Sequence, residues 1–245
     1  MPSWFQLRSL QKNSVLGEAK IFDAPSIWGS LEIEVCFSNP PTVREAKPGS
    51  SLPAVCPERH IQGDSTFCLG LDRQSLFSGQ DAIKFWNDLH SFLTLQRYAV
   101  KNRQWPRQNA YDHGSAGVYQ QQAESLAAQL GITEEYAAAS AGERSWITSR
   151  RLRFVDDNGK PIDGRKPCPL GCRFPRRERY PQTRRKCGHR EEIAELIRLE
   201  RNRRIALKEY WIERRKTGQC CGTIDNCPLT WTQSQLDRAF DRFHD

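Results

Sequence analysis

The stretch Arg59–Leu71, RHIQGDSTFCLGL, decides how the chain reads. Gly63, Asp64 and Ser65 form a turn-prone run that ends any strand and re-aims the backbone. Cys68 follows on an apolar Phe67-Cys68-Leu69 step, eight residues after His60. A thiol at such a corner is open on one side and held by buried neighbours on the other. That placement suits a nucleophile better than a packing residue.

Upstream, Gly17–Phe22 alternates weakly and Ser30–Phe37 alternates cleanly, with Leu31, Ile33, Val35 and Phe37 on one face. This predicts two antiparallel strands joined across Pro25 and Gly29. Ser38–Ser51, rich in Pro, Gly and Ser, reads as a crossing loop. Downstream, Ser78 with Asp81 offers a capping box for a helix over 80–97. Its apolar stripe is Ala82, Trp86, Leu89 and Leu93, widened by Phe85 and Phe92. A second helix is expected over 115–130, with Tyr119, Ala123, Leu126, Ala127 and Leu130 inward and Gly131 closing it, and a short one over 133–140. Strands followed by helices predict an α+β fold, an antiparallel sheet with packed helices.

The segment around Cys68 resembles the active-site region of ubiquitin-conjugating enzymes. In that family an Asn precedes a short loop leading into a hydrophobic-Cys-Leu step. His60 stands at the Asn position, and Ile61, Asp64, Thr66, Phe67 and Leu69 occupy matching ones. Pro40-Pro41-Thr42-Val43 is similar to the family's proline-rich step after its sheet. His60 for Asn and the displaced Pro57 depart from the main pattern, and Pro57-Glu58-Arg59-His60 is similar to the bacterial branch. The resemblance spans roughly 16–140, and the family's N-terminal helix has only a weak signal here. It implies a ubiquitin-conjugating-enzyme-like fold with Cys68 as the thioester-carrying nucleophile. It implies His60 as an oxyanion-side donor or loop-ordering group; the residue types alone also allow a base. His113, just ahead of the second helix, is a candidate to approach the site from another side.

The chain has 245 residues, enough for two units. Residues 1–142 carry 12 Lys and Arg against 14 Asp and Glu; residues 143–245 carry 25 against 15. The expected division is a near-neutral catalytic domain over 1–142 and a basic, helical cysteine-rich domain over 143–245. In the latter, Asp157–Lys160 reads as a turn, 189–216 as a charged helix stopped by Gly218, and Thr232 with Gln235 as the start of a last helix. The charged helix has a discontinuous stripe of Ile193, Leu196, Leu207 and Trp211; Leu236, Phe240 and Phe243 share a face of the last.

Nine cysteines, no apolar signal core over Met1–Leu10 and no apolar run of membrane length predict a soluble cytoplasmic protein with reduced thiols and no disulfides. Cys168, Cys172, Cys187, Cys220, Cys221 and Cys227 are candidate ligands for a structural zinc ion: the first three with one of the last three would close a tetrahedral site. Cys36 and Cys56 read as structural, with Cys56 a candidate to reach Cys68. The arginine runs, Arg203-Arg204 among them, are interleaved with glutamates such as Glu200, as on a solvated helix.

No Gly-rich phosphate loop is present, so activation is expected from a separate ubiquitin-activating-like enzyme. The resemblance further implies a ubiquitin-like protein as carrier, an acceptor such as a phage protein or a nucleotidyltransferase, and a setting of bacterial antiviral defence. Two alternatives stay open: a zinc-stapled basic module binding nucleic acid or protein without catalysis, and a cysteine hydrolase using Cys68 with His60 or His113.

Overall fold

The computed structural model describes residues 1–20, 30–70, 78–106, 111–143, 145–148, 170 and 188–240. They fall into two compact units, one of Met1–Pro106 with Gly218–Thr230 and one of Arg107–Thr217 with Trp231–Asp245. Compactness thus changes at 106/107, whereas the charge step that suggested 142/143 lies within the second unit. Charge marks a solvent preference, and contacts mark a domain.

The first unit is built on a four-stranded antiparallel meander, β1 (Phe5–Leu10), β2 (Ser14–Ala19), β3 (Leu31–Cys36) and β4 (Thr42–Glu45), in that order. Val15 pairs with Val35 and Val35 with Val43, so the inward residues line up across three strands. Val15, Ala19, Leu31, Ile33, Val35 and Val43 are all buried. The outward positions carry ion pairs, Glu18 with Arg8 and Glu34 with Arg44, the latter at 2.7 Å. Gly17 is required where β2 pairs with β1, because a Cβ there would lie 2.2 Å from the Phe5 ring and 2.7 Å from Gln6 O.

Three of these strands depart from expectation. β2 starts three residues before the expected Gly17–Phe22, whose last two residues lie outside the described ones. β1 buries only Phe5, and a register irregularity between Leu7 and Ser9 cuts its alternation short after two apolar positions. β4 lies inside the expected crossing loop Ser38–Ser51. Its inward positions are Val43 and the carboxylate Glu45, and an acidic inward residue hides the period-two pattern. Glu45 is satisfied by the following turn: Gly49 N, Ser51 N and Leu52 N donate at 3.1, 2.6 and 3.3 Å, and the Ser50 hydroxyl at 2.8 Å.

Helix α1 (Gly79–Asn102) begins with the expected capping box. Asp81 N donates to Ser78 Oγ at 3.2 Å, and Ser78 N donates to Asp81 at 2.9 Å. Its buried face is Phe85, Leu89, Phe92, Leu93, Gln96 and Ala99. Relative to the expected stripe the face is turned away from Ala82 and Trp86, because Gln96 is recruited inward. Phe92 stacks on Phe67 at 4.8 Å, and Trp86 lies 4.9 Å from Phe5. The segment 218–230 returns to the end of this helix: Arg103 donates to Asp225 at 2.8 Å and to Gly222 O at 3.0 Å.

The second unit contains α2 (Ser115–Gln129), α3 (Thr133–Ser140), α4 (Arg190–Thr217) and α5 (Gln233–Phe240), close to the expected bounds. α5 starts on a reciprocal cap between Thr232 and Gln235, with bonds of 2.7 and 3.2 Å. Ala123 and Ala127 of α2 meet Tyr136 and Ala139 of α3 and Leu196 and Leu199 of α4. The expected turn at Asp157–Lys160, the loop Cys168–Cys187 apart from Leu170, and Phe243 lie outside the described residues.

The break in the α4 stripe is not a solvated face. Glu200, Arg203 and Arg204 are all buried. Arg203 and Arg204 each donate to Glu200 at 2.7 Å, Tyr136 Oη reaches it at 3.3 Å, and Arg203 also pairs with Asp112. Ala139 O and Ser140 O accept further guanidinium bonds at 3.2 and 3.3 Å. Burial alone would raise the Glu200 pKa; Arg203 and Arg204 outweigh it and hold the carboxyl below its usual range. Glu200→Ala would remove the carboxylate that two buried guanidinium groups share and is expected to cost about 3–5 kcal/mol, measured by urea denaturation. Because the folded pKa is lowered, the stabilisation is complete above the unfolded carboxyl value and is lost as pH falls through the folded one. An acid titration of wild-type stability should show that loss, and the Glu200→Ala variant should lack it.

Candidate active site

The Cys68 corner is two small loops pinned to the sheet and to α1. Cys56 and Ile61 exchange backbone bonds of 3.1 and 3.0 Å around a single turn of 3-10 helix, Pro57–Arg59. His60 closes this loop in the left-handed region, φ 55°. The second loop folds on Asp64, whose carboxylate accepts from Thr66 N at 3.1 Å and Thr66 Oγ1 at 2.6 Å. Ser65, also left-handed at φ 66°, donates its N–H to Gln62 O at 2.9 Å. The expected turn run is thus an Asx turn with a definite hydrogen-bond pattern.

Phe67 N donates to Val43 O of β4 at 2.7 Å, which drives the Phe67 ring into the core. The next residue points the other way and is half-buried: Cys68. Its N–H donates to His60 O at 2.8 Å, so the backbone of His60 positions the thiol-bearing residue. The His60 ring lies 5.2 Å from the Trp105 ring, and Trp105 in turn lies 6.2 Å from Phe92. Burial pushes the His60 imidazole down to about 4. The ring is therefore neutral at physiological pH.

Arg59 anchors the corner. It is almost fully buried, with Nε donating to Gln96 Oε1 at 2.8 Å and Nη1 to Thr223 Oγ1 at 3.1 Å. Gln96 Nε2 returns a bond to Arg59 O at 2.6 Å. Arg59 Nη2 is buried with no hydrogen-bond partner among the described residues. Burial lowers the Arg59 pKa, and the thiols of Cys56 and Cys221 act against that shift.

Cys220, Cys221 and Cys227 lie in the first unit, not in the basic unit where they were expected. Cys221 Sγ sits 2.8 Å from Cys56 Sγ and 3.0 Å from Thr223 Oγ1. Hydrogen bonding from Cys56 and Thr223 holds Cys221 below the usual thiol value, while Cys56 is raised by the same bond and by burial. Cys227 is raised by burial and by its bond with Cys220. Four of the six described thiols therefore stand in two pairs, with Cys36 and Cys68 outside them. No group of three or more His, Cys, Asp or Glu placed to hold a metal occurs among the described residues. The returning cysteines do not complete a tetrahedral donor set with one another, and Cys168, Cys172 and Cys187 lie outside the described residues.

His113 belongs to the second unit, where its ring stacks on Tyr210 at 4.7 Å and meets Trp211 edge-on at 5.1 Å. Cys36 ends β3, half-buried. The Arg59–Gln96–Thr223 brace and the Cys56–Cys221 pair were missed from sequence. No local pattern marks residues that meet across 165 positions of chain.

Comparison with protein families gives two matches, a prokaryotic E2 domain over residues 4–107 and a cysteine-rich domain C-terminal to E2 over residues 112–229. The chain carries a prokaryotic E2 domain followed by the cysteine-rich domain that accompanies it. The E2 domain is the first unit as far as Pro106, and a ubiquitin-conjugating-like enzyme is the coarse identity it supports. The cysteine-rich domain includes the returning segment that carries Cys220, Cys221 and Cys227. Comparison with curated proteins found no match, and comparison with solved structures found none either. No helix among the described residues is long and apolar enough to cross a membrane.

His60 is expected to remain neutral throughout pH 5.5–8 in an NMR titration of the folded protein. With a folded pKa depressed below the unfolded value of about 6.5, its protonation opposes folding. Stability should fall as pH drops from the unfolded value towards about 4, and His60→Asn should remove that component.

Proposed function

We propose that Cys68 carries the C-terminus of a ubiquitin-like protein as a thioester and passes it to an acceptor amine. The observation that carries the reading is the half-exposed thiol beside the buried Phe67 anchor, on a corner whose backbone His60 O and Val43 O hold in place. A separate activating enzyme would supply the carrier as its own thioester. The Cys68 thiolate attacks that carbonyl, and the activating enzyme's thiolate leaves. An acceptor amine then attacks the new thioester, the Cys68 thiolate departs, and the amine gives up a proton as the amide forms.

His60 is assigned the donor role. A neutral imidazole has an N–H to offer to a developing oxyanion. An imidazole with a pKa of about 4 is a poor base for a thiol, which counts against the hydrolase reading. His113, packed between Tyr210 and Trp211, is given no step.

The partners in this reading are an activating enzyme, a ubiquitin-like carrier and an acceptor, such as a phage protein or a nucleotidyltransferase, in cytoplasmic antiviral defence. Structural zinc, with Cys168, Cys172 and Cys187 among its candidate ligands, remains part of this reading. The nucleic-acid alternative is weakened by the burial of Arg203 and Arg204, which are committed to Glu200.

Incubation with candidate activating enzyme, carrier and ATP should give a covalent carrier adduct that a small thiol releases. Cys68→Ala should abolish it, and Cys68→Ser should convert it to a thiol-resistant ester. Absence of any adduct with partners competent on another conjugating enzyme would overturn the reading.

A further inference from the structure

The returning segment brings a second reactive cysteine site into the E2 domain, one with no part in acyl transfer. Cys221 is half-buried and Cys56 fully buried, so one sulfur is reachable and the other waits behind it. Their sulfurs are 2.8 Å apart. That is inside van der Waals contact and less than about 1 Å longer than a disulfide bond.

The surroundings favour chemistry at this pair. Thr223 Oγ1 lies 3.0 Å from Cys221 Sγ and accepts from Arg59 Nη1 at 3.1 Å. The Arg59 guanidinium is 1 % exposed, and its described side-chain acceptors, the Gln96 amide and the Thr223 hydroxyl, are neutral. Its Nη2 is the buried orphan. A buried cation without a carboxylate favours negative charge developing on the neighbouring sulfur as it attacks.

We propose that Cys56 and Cys221 are an oxidisable dithiol, converted by hydrogen peroxide to a disulfide that cross-links the returning segment to the E2 domain. Cys221 sulfur attacks one peroxide oxygen, the O–O bond breaks, and sulfenic acid and water form. Cys56 sulfur then attacks Cys221 sulfur and displaces the hydroxyl as a second water. Two thiols lose two electrons and two protons, and one peroxide becomes two waters. A dithiol reductant reverses the change. The resting state is the reduced pair, in keeping with a compartment where thiols stay reduced.

The test uses the full chain and no conjugation partner, so its outcome is separate from that of thioester transfer. Reduced protein is treated with stoichiometric hydrogen peroxide, remaining thiols are alkylated, and a non-reducing digest is mapped by mass spectrometry. The expected product is a peptide linked through Cys56 and Cys221, lost on dithiothreitol treatment. Its formation should persist in Cys68→Ser and Cys220→Ser and vanish in Cys221→Ser. Oxidised wild type should melt on the order of 5 °C higher than reduced, because the cross-link closes a long loop of the unfolded chain. Peroxide consumed at Cys68 with Cys56 and Cys221 still alkylated would overturn the proposal. So would linkage of Cys221 to another cysteine, or stoichiometric zinc bound to both sulfurs. The wild-type map alone decides the matter should Cys221→Ser fail to fold.

Discussion

Arg59 is the joint on which the E2 domain depends. Burying a guanidinium is costly unless its donors are occupied. Here the donors reach two segments distant in sequence: Gln96 in the core of α1 and Thr223 in the returning segment. Gln96 also holds the Arg59 carbonyl, so the turn that ends at His60 is fixed to the helix from both sides of one residue. The Cys68 backbone hangs on the His60 carbonyl. Position is therefore passed from helix to arginine, from arginine to turn, and from turn to thiol.

The two units solve the same problem in different ways. In the second, Glu200 meets Arg203 and Arg204 directly, and Asp112, Tyr136 and two α3 carbonyls take up further donors and acceptors. That cluster is charge-compensated and closes a gap in the α4 apolar stripe. In the first, no carboxylate among the described residues answers Arg59, and the groups that respond to its charge are thiols. A buried cation left short of anions is an electrostatic reservoir, and cysteine is the residue best able to use one.

The described cysteines consequently divide by environment rather than by number. Cys68 is half-buried at a corner, with its backbone fixed by the His60 carbonyl. Cys56 and Cys221 engage one another, and Cys227 is buried beside Cys220. A count of nine thiols in a cysteine-rich chain suggests metal; among the described residues, four of them meet in pairs instead of in a group of three or more.

Local chemistry was enough for much of this protein. The capping pairs Ser78 with Asp81 and Thr232 with Gln235 set helix starts, since a cap is satisfied within one turn of chain. The alternation of Ser30–Phe37 marked β3, and the Asp64-Ser65 run marked the turn before Cys68. Where an inward position is a carboxylate, as Glu45 in β4 and Glu200 in α4, the apolar period is interrupted and the pattern misleads. The pairing of Cys56 with Cys221, and the clasp of Arg59 by Gln96 and Thr223, were left to tertiary structure. Those contacts join segments far apart in the chain, and only the folded backbone brings their partners within a hydrogen bond of one another.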